Sequence, residues 1–181
     1  MDNASGSAVL LNIIERIDKS NIKLNWMDLR FAFFGAKKIG SWGANSLINE
    51  EIGQYHQYKE VYLIDIDRIG PEIAIVEGCG IFAYKNMRNF LQKTILHLAF
   101  QDKIKIQKIH KRFCINKNFT PFMNRNIEIC SISSPDEYFL NPSLDNVNMV
   151  DKKKLLDVSE LVYNVILSLD HKIGDKIDSG E

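Results

Sequence analysis

Apolar residues recur at helical spacing in some stretches of this chain and form short unbroken runs in others, and the alternation of the two predicts a mixed α/β fold. Val9, Leu10, Ile13, Ile14 and Ile17 mark a first helix, with Ser5 as its N-cap and Asp2 just ahead of its N-terminus. A polar connector over residues 21–25 leads to Leu29, Phe31, Ala32, Phe33 and Phe34, which read as a strand covered on both faces. Gly35 then supplies a tight turn, and a second glycine-rich turn opens a helix over 44–51, followed by a loop over 53–59 containing His56. Residues 61–67 are apolar and β-branched up to the acids Asp65 and Asp67 and read as the next strand, turned by Gly70-Pro71. A short strand follows over 73–76, with Gly78 and Gly80 behind it. A helix over 86–100 carries Met87, Phe90, Leu91, Ile95 and Leu98, with His97 read as a packing histidine. A last strand over 127–132, a loop over 135–148 and an amphipathic helix over 154–170 complete the order, and the tail from Gly174 reads as frayed. The expected architecture is a mixed, largely parallel sheet with helices on both faces. It forms one domain over 1–173, with a polar tail over 174–181.

The alternating stretch 103–117 adds a basic face: Lys103, Lys105, Lys108, Lys111 and Arg112 are interleaved with isoleucines. One reading is a strand with one buried and one solvated side. The other is an anion or nucleic-acid groove, for which Phe113 is the only stacking ring in the stretch. The formal net charge of +0 favours the first and implies neither nucleic acid nor an anionic membrane as partner. With 181 residues, 45% of them hydrophobic, the chain is long enough to bury a core. Cys79, Cys114 and Cys130 are odd in number and form no CxxC pair, which fits a reducing, cytoplasmic setting better than a disulfide framework or a zinc knuckle. No leader pattern and no apolar run of membrane-spanning length is read from the sequence.

Chemistry is expected where the 29–34 strand ends, because open α/β sheets place ligands at the carboxyl edges of their strands. Lys37 and Lys38 stand there. They are either two solvated lysines on a turn or two ammonium groups in a cleft, and the second arrangement needs carboxylates beside them.

Four segments together resemble the zinc exopeptidase family of aminopeptidase S and aminopeptidase Y, with its glutamate carboxypeptidase and transferrin receptor relatives. They are DNASGSAVLLNIIE, RFAFFGAKKIGSWGANS, YLIDIDRIG and NPSLDNV. The resemblance implies the family's zinc-aminopeptidase-like fold, downstream of its first strands. It also implies roles position by position. Asp2 matches the metal-bridging aspartate, and Asp67 matches a further aspartate ligand, with Asp65 where the family usually has asparagine. Lys37 stands at the general-base glutamate and Lys38 at a glutamate ligand. The last histidine ligand falls at Leu140, or at Phe139 with the gap moved. An Asp-His pair common in the family is missing near Asn118 and Phe119, and the first histidine would lie ahead of Met1.

A catalytic zinc needs about three protein ligands, and two aspartates do not supply them. An ammonium has no lone pair, and with an ordinary pKa of about 10.4 it takes no proton from a bound water at neutral pH. The expectation is therefore a degenerate, non-catalytic relative serving as a binding or scaffold domain, with no cofactor. Lys37 and Lys38 would offset the charge of Asp2, Asp65 and Asp67 in place of metal; the alternative is drift, with the acids kept by accident or for capping. A protein partner or self-association through an unpaired sheet edge is expected. The competing reading is an active zinc aminopeptidase whose site is rebuilt with His56 or Glu50.

Overall fold

Helix formation starts at Asn3, not at Ser5. The structure, a computed structural model, describes residues 3–55, 57–79, 90–111, 119–123, 125, 127–135 and 147–179. Helix α1 spans Ala4–Ser20, and the Asn3 side chain accepts a hydrogen bond from Gly6 N at 3.1 Å. Asparagine is as good an N-cap as serine. Asn3 also reaches the sheet, which leaves Ser5 to be buried in the first turn.

The remaining elements are α2 (Trp42–Tyr55), β1 (Tyr62–Asp67), β2 (Ile73–Cys79), α3 (Phe90–Gln101), β3 (Ile106–Lys111), β4 (Glu128–Ser133) and α4 (Lys152–Ser179). The sheet order is β1-β4-β2-β3. β1 runs parallel to β4, and β2 parallel to β3, while β2 and β4 are antiparallel. β1 and β4 stay in register from Tyr62↔Glu128 to Asp67↔Ser133, so both strands bring their carboxyl ends to one edge.

Alternation along β1 divides its side chains between two layers. Tyr62, Ile64 and Ile66 face a core built with Val9 and Ile13 of α1, Leu91 and Ile95 of α3, and Val158 to Leu169 of α4. Leu63 faces a smaller core on the other side, made with Ala44 and Ile48 of α2, Phe119, Phe122 and Ile129. Helices thus cover both faces of a mostly parallel sheet, as expected from the pattern. Burying each of these large apolar side chains is worth about 1.5–3 kcal/mol. Close approach fixes two glycines: a Cβ on Gly6 would collide with the Ile66 carbonyl oxygen, and one on Gly43 would lie 3.0 Å from Gly35 O.

Several boundaries differ from expectation. Helix α2 runs further at both ends than 44–51, β2 continues three residues past Val76, and α4 stays helical to Ser179 across the expected frayed tail. Asp151 Oδ1 caps α4 by accepting from Lys153 N at 2.8 Å. Helix α3 begins at Phe90, and the stretch before it lies outside the described residues. His97 is exposed on α3 and is not a packing histidine. Around β3 the expected single solvated basic face is absent: Lys105 and Lys108 are exposed, but Ile106 packs against the larger core and Ile109 against the smaller one on the opposite face, and Lys108 pairs with Glu77 at 3.2 Å.

The largest difference concerns 29–34. The stretch is extended, but it takes no place in the ladder of the sheet, and Phe33 is 51% exposed. Leu29 and Phe31 pack against the α1/α4 core and Phe34 against the α2 core, its ring 6.4 Å from that of Phe122. The residues alternate between two layers as strand residues do, without a paired strand beside them. Apolar periodicity reports burial on two faces; it carries no information about which backbone supplies the hydrogen bonds.

Candidate functional site

The carboxyl ends of β1 and β4 meet the N-terminus of α1 and the turn that follows 29–34. Ala36 holds this turn in the left-handed region with φ 57°, and a short 3-10 helix over Lys37–Ile39 follows. The sequence places the turn at Gly35; it is Ala36, at some steric cost, that takes the left-handed backbone and aims Lys37 at β1.

Asp67 is the centre of the site. Its side chain is 2% exposed, and Lys37 Nζ donates to its Oδ1 from a position only 15% exposed. Arg68 Nε lies 3.4 Å from Asp67 Oδ2. The N-terminus of α1, which carries partial positive charge, is tied to the same strand end: Asn3 Nδ2 donates to Ile66 O at 2.9 Å, and Arg68 N donates to Asn3 Oδ1 at 2.8 Å. A buried carboxylate thus lies against an ammonium and a guanidinium, and the α1 N-terminus is fastened to the backbone on either side of it. Such a pair adds little net stability over an apolar replacement, but losing one partner strands the other charge.

Asp65, two residues earlier on the same face, is 7% exposed and accepts from Ser131 Oγ of β4 at 2.9 Å. Its carboxylate and burial both push the Cys130 thiol up, burial more strongly. Lys37, Asp65 and Asp67 are therefore brought to one strand end. Asp2 and Leu140, with Phe139, Asn118 and His56, lie outside the described residues, as does the side chain of Lys38. Phe119 is buried in the α2 core. Glu50 is on the exposed side of α2, accepting from Ser46 Oγ at 2.7 Å.

These groups do not suit a divalent metal. Lys37 occupies Asp67 Oδ1, an oxygen a metal would need, and brings a positive charge and no lone pair. Among the described residues no three His, Cys, Asp or Glu side chains converge as a metal site. What the arrangement does chemically is set fixed cations against a buried carboxylate.

Three participants were not singled out from the sequence. Arg68 follows Asp67 directly, a signal that was available. Asn3 carried the N-cap preference that was assigned to Ser5. Ser131 became a partner only through the β1–β4 register, which no local pattern reveals.

The family profile described as Peptidase family M28 matches residues 1–166. Among curated sequences, none matches the chain. Solved structures share the fold. BSAP, a zinc aminopeptidase from Bacillus subtilis, superposes with a TM-score of 0.73 at 15% identity, over 93% of this chain and 41% of that one. The LapA aminopeptidase of Legionella pneumophila gives 0.68 at 13%, over 93% and 46%. PhTET1-12s, solved as a dodecamer, gives 0.61 at 17%, over 92% and 48%. The chain spans less than half the length of each. Among its described residues, no helix is long and apolar enough to cross a membrane.

Proposed function

Because the chain belongs to peptidase family M28, we propose that it is a relative of the aminopeptidase S and aminopeptidase Y branch in which metal-dependent hydrolysis has given way to a binding or scaffold role. The observation that carries this reading is the Lys37–Asp67 ion pair. In the resemblance, Lys37 takes the place of the general-base glutamate and Asp67 that of a metal ligand. One substitution thus removes the base and ties up a ligand oxygen with a fixed cation. The charge balance a metal would give the carboxylate is met by Lys37 and Arg68, and Asp67 is retained because it holds that turn against β1. No cofactor is needed for this role. The partner is another protein, met in a reducing compartment where the Cys130 thiol stays free.

Metal content tests the reading. The untagged protein, purified from zinc-supplemented medium, is expected to carry far less than one zinc per chain and to leave an aminoacyl fluorogenic substrate intact. One or two zinc ions per chain, with hydrolysis abolished by chelator, would replace this reading with that of an active aminopeptidase.

A further inference from the structure

Residues 36–41 form a loop whose base is fixed and whose middle stands out from the domain. At the base, α2 approaches so closely that a Cβ on Gly43 would lie 3.0 Å from Gly35 O. On the α2 side, Asn45 Nδ2 donates to Gly40 O at 2.9 Å and to Ser41 O at 3.2 Å, and Ser41 is buried. Between these anchors Ala36, Ile39 and Gly40 are exposed, Ile39 by 71%. Of the described side chains of 36–40, that of Lys37 alone turns inward, to Asp67.

The backbone is left-handed at both ends of the loop. Ala36 has φ 57°, and Gly40 and Ser41 have φ 104° and 54°. The piece between them, Lys37–Ile39, is a single 3-10 turn, closed by Ile39 N donating to Ala36 O at 3.3 Å and Ser41 N to Lys37 O at 3.1 Å. A left-handed backbone disfavours a residue with a Cβ by roughly 5- to 30-fold, and alanine has no polar group with which to bond locally in return. Such a conformation persists where its surroundings impose it. At Ala36 the constraint sits next door, in the residue that carries the inward contact of the loop.

We propose that 36–41 is a flap latched over the end of β1 by the Lys37–Asp67 ion pair, with Ala36 as a strained hinge on one side and Gly40-Ser41 as the hinge on the other. Latched, the flap fills Asp67 Oδ1 and keeps that carboxylate 2% exposed. Released, Ala36 returns to an ordinary backbone region and the Lys37 ammonium goes to water. Asp67 then opens at the carboxyl edge of the sheet, with Arg68 still beside it. A rigid piece between two short hinges that absorb a large change in φ is how loops gate sites. The inference goes beyond the binding role proposed above and does not need it. Its test uses no partner, metal or activity, so the two readings fail separately.

Trypsin reads the flap. Where opening is fast relative to cleavage, the rate of cutting after Lys38 follows the fraction released. Cutting after Lys93, exposed within α3, follows opening of the whole domain. Each rate is divided by that of the matching free peptide. The parent is expected to be cut after Lys38 at least tenfold faster than after Lys93. Ala36→Gly, which relieves the latched hinge, is expected to slow the Lys38 cut at least threefold and to leave the Lys93 cut no faster. Lys37→Met is expected to speed the Lys38 cut at least tenfold and to keep it ahead of the Lys93 cut. Adding Ala36→Gly to Lys37→Met is expected to slow nothing, because the released hinge is no longer left-handed. Equal rates at Lys38 and Lys93 in the parent would mean that the loop opens only with the domain. An Ala36→Gly chain cut as fast as the parent would mean that no strain is held. The same slowing in both backgrounds, or a Lys38 rate unmoved by Lys37→Met, would mean that something other than Lys37 holds the loop. Each of these results would overturn the proposal.

Discussion

The two flanks of β1 present opposite solutions to burying one strand. On one flank β4 pairs with it over six residue pairs, and the side chains behind that pairing, Ile132, Cys130 and Ile129, are at most 1% exposed. On the other flank 29–34 lies beside it through side chains alone, half-buried, with two cavities between. The same strand end carries the Asp67 ion pair. The difference teaches that one strand is held in two ways: the paired flank fixes where Asp67 sits through main-chain bonds, and the other flank is held by side chains alone.

The widest contrast comes from truncating one side chain on each flank. Ile132→Ala leaves a cavity in the central strand of the main core and is expected to cost about 3–4 kcal/mol. Phe33→Ala, at a side chain 51% exposed, is expected to cost within about 0.5 kcal/mol. Urea unfolding of both variants measures this. Comparable losses would mean that the 29–34 flank is as tightly packed as the other.

Next in size is the ion pair that joins the flanks. Lys37→Met strands a carboxylate that is 2% exposed and is expected to cost about 2–3 kcal/mol, somewhat less than a fully buried pair because Lys37 keeps some contact with water. The double variant Lys37→Met with Asp67→Leu removes both charges and is expected to recover most of that loss. A double variant no more stable than Lys37→Met alone would show that Asp67 is held for its hydrogen bonds and not by charge pairing.

The seam between α1 and β1 ranks third. Alanine is favoured over glycine in helices by about 1 kcal/mol, yet Gly6→Ala is expected to lose more than that amount, because its Cβ would meet the Ile66 carbonyl oxygen. Asn3→Ala removes a cap and two contacts to the strand end, for about 1–2 kcal/mol. A Gly6→Ala variant as stable as the parent, by the same urea titration, would detach α1 from the site.

What the sequence made legible was what neighbouring residues decide. The periodicity of α1 and α4 and the β-branched run into Asp65 and Asp67 are local patterns, and the structure has them. The layer each residue faces was also readable for 29–34, since alternation records burial. The absence of a ladder there was not, because a strand is defined by a neighbour that the pattern does not name. The same limit hid Ser131, which meets Asp65 only by register. It did not hide Asn3 or Arg68, which adjoin Asp2 and Asp67; Ser5 carries a cap preference that competes with that of Asn3. The family positions were legible only through resemblance, since nothing in the spacing of Lys37 and Asp67 alone implies that the two meet.

The smallest effect tests the far end of the flank held by side chains. The hydrogen bond from Tyr58 and then that from Arg30 hold the Asp28 carboxyl below its usual range, and the bond to Asp28 pushes the Tyr58 phenol up. A carboxyl lowered by folding stabilises above its unfolded value of about 3.9 and loses that contribution as pH falls through the lowered one. A raised phenol stabilises below about 10 and loses its contribution as pH rises through the raised value. The Asp28–Tyr58 contact is therefore at full strength between those limits and opens first at the acid end. The contact is exposed, so the change is local and small. With Trp42, 70% exposed, replaced by phenylalanine, Trp26 alone reports on the start of that flank, where its backbone N–H donates to Asp170 Oδ1 at 2.8 Å. Its emission is expected to shift between pH 4 and 2 in the parent and to stay flat in Asp28→Asn. The same acid shift in both would free this end of the flank from Asp28 and leave Lys37–Asp67 as the contact that holds it.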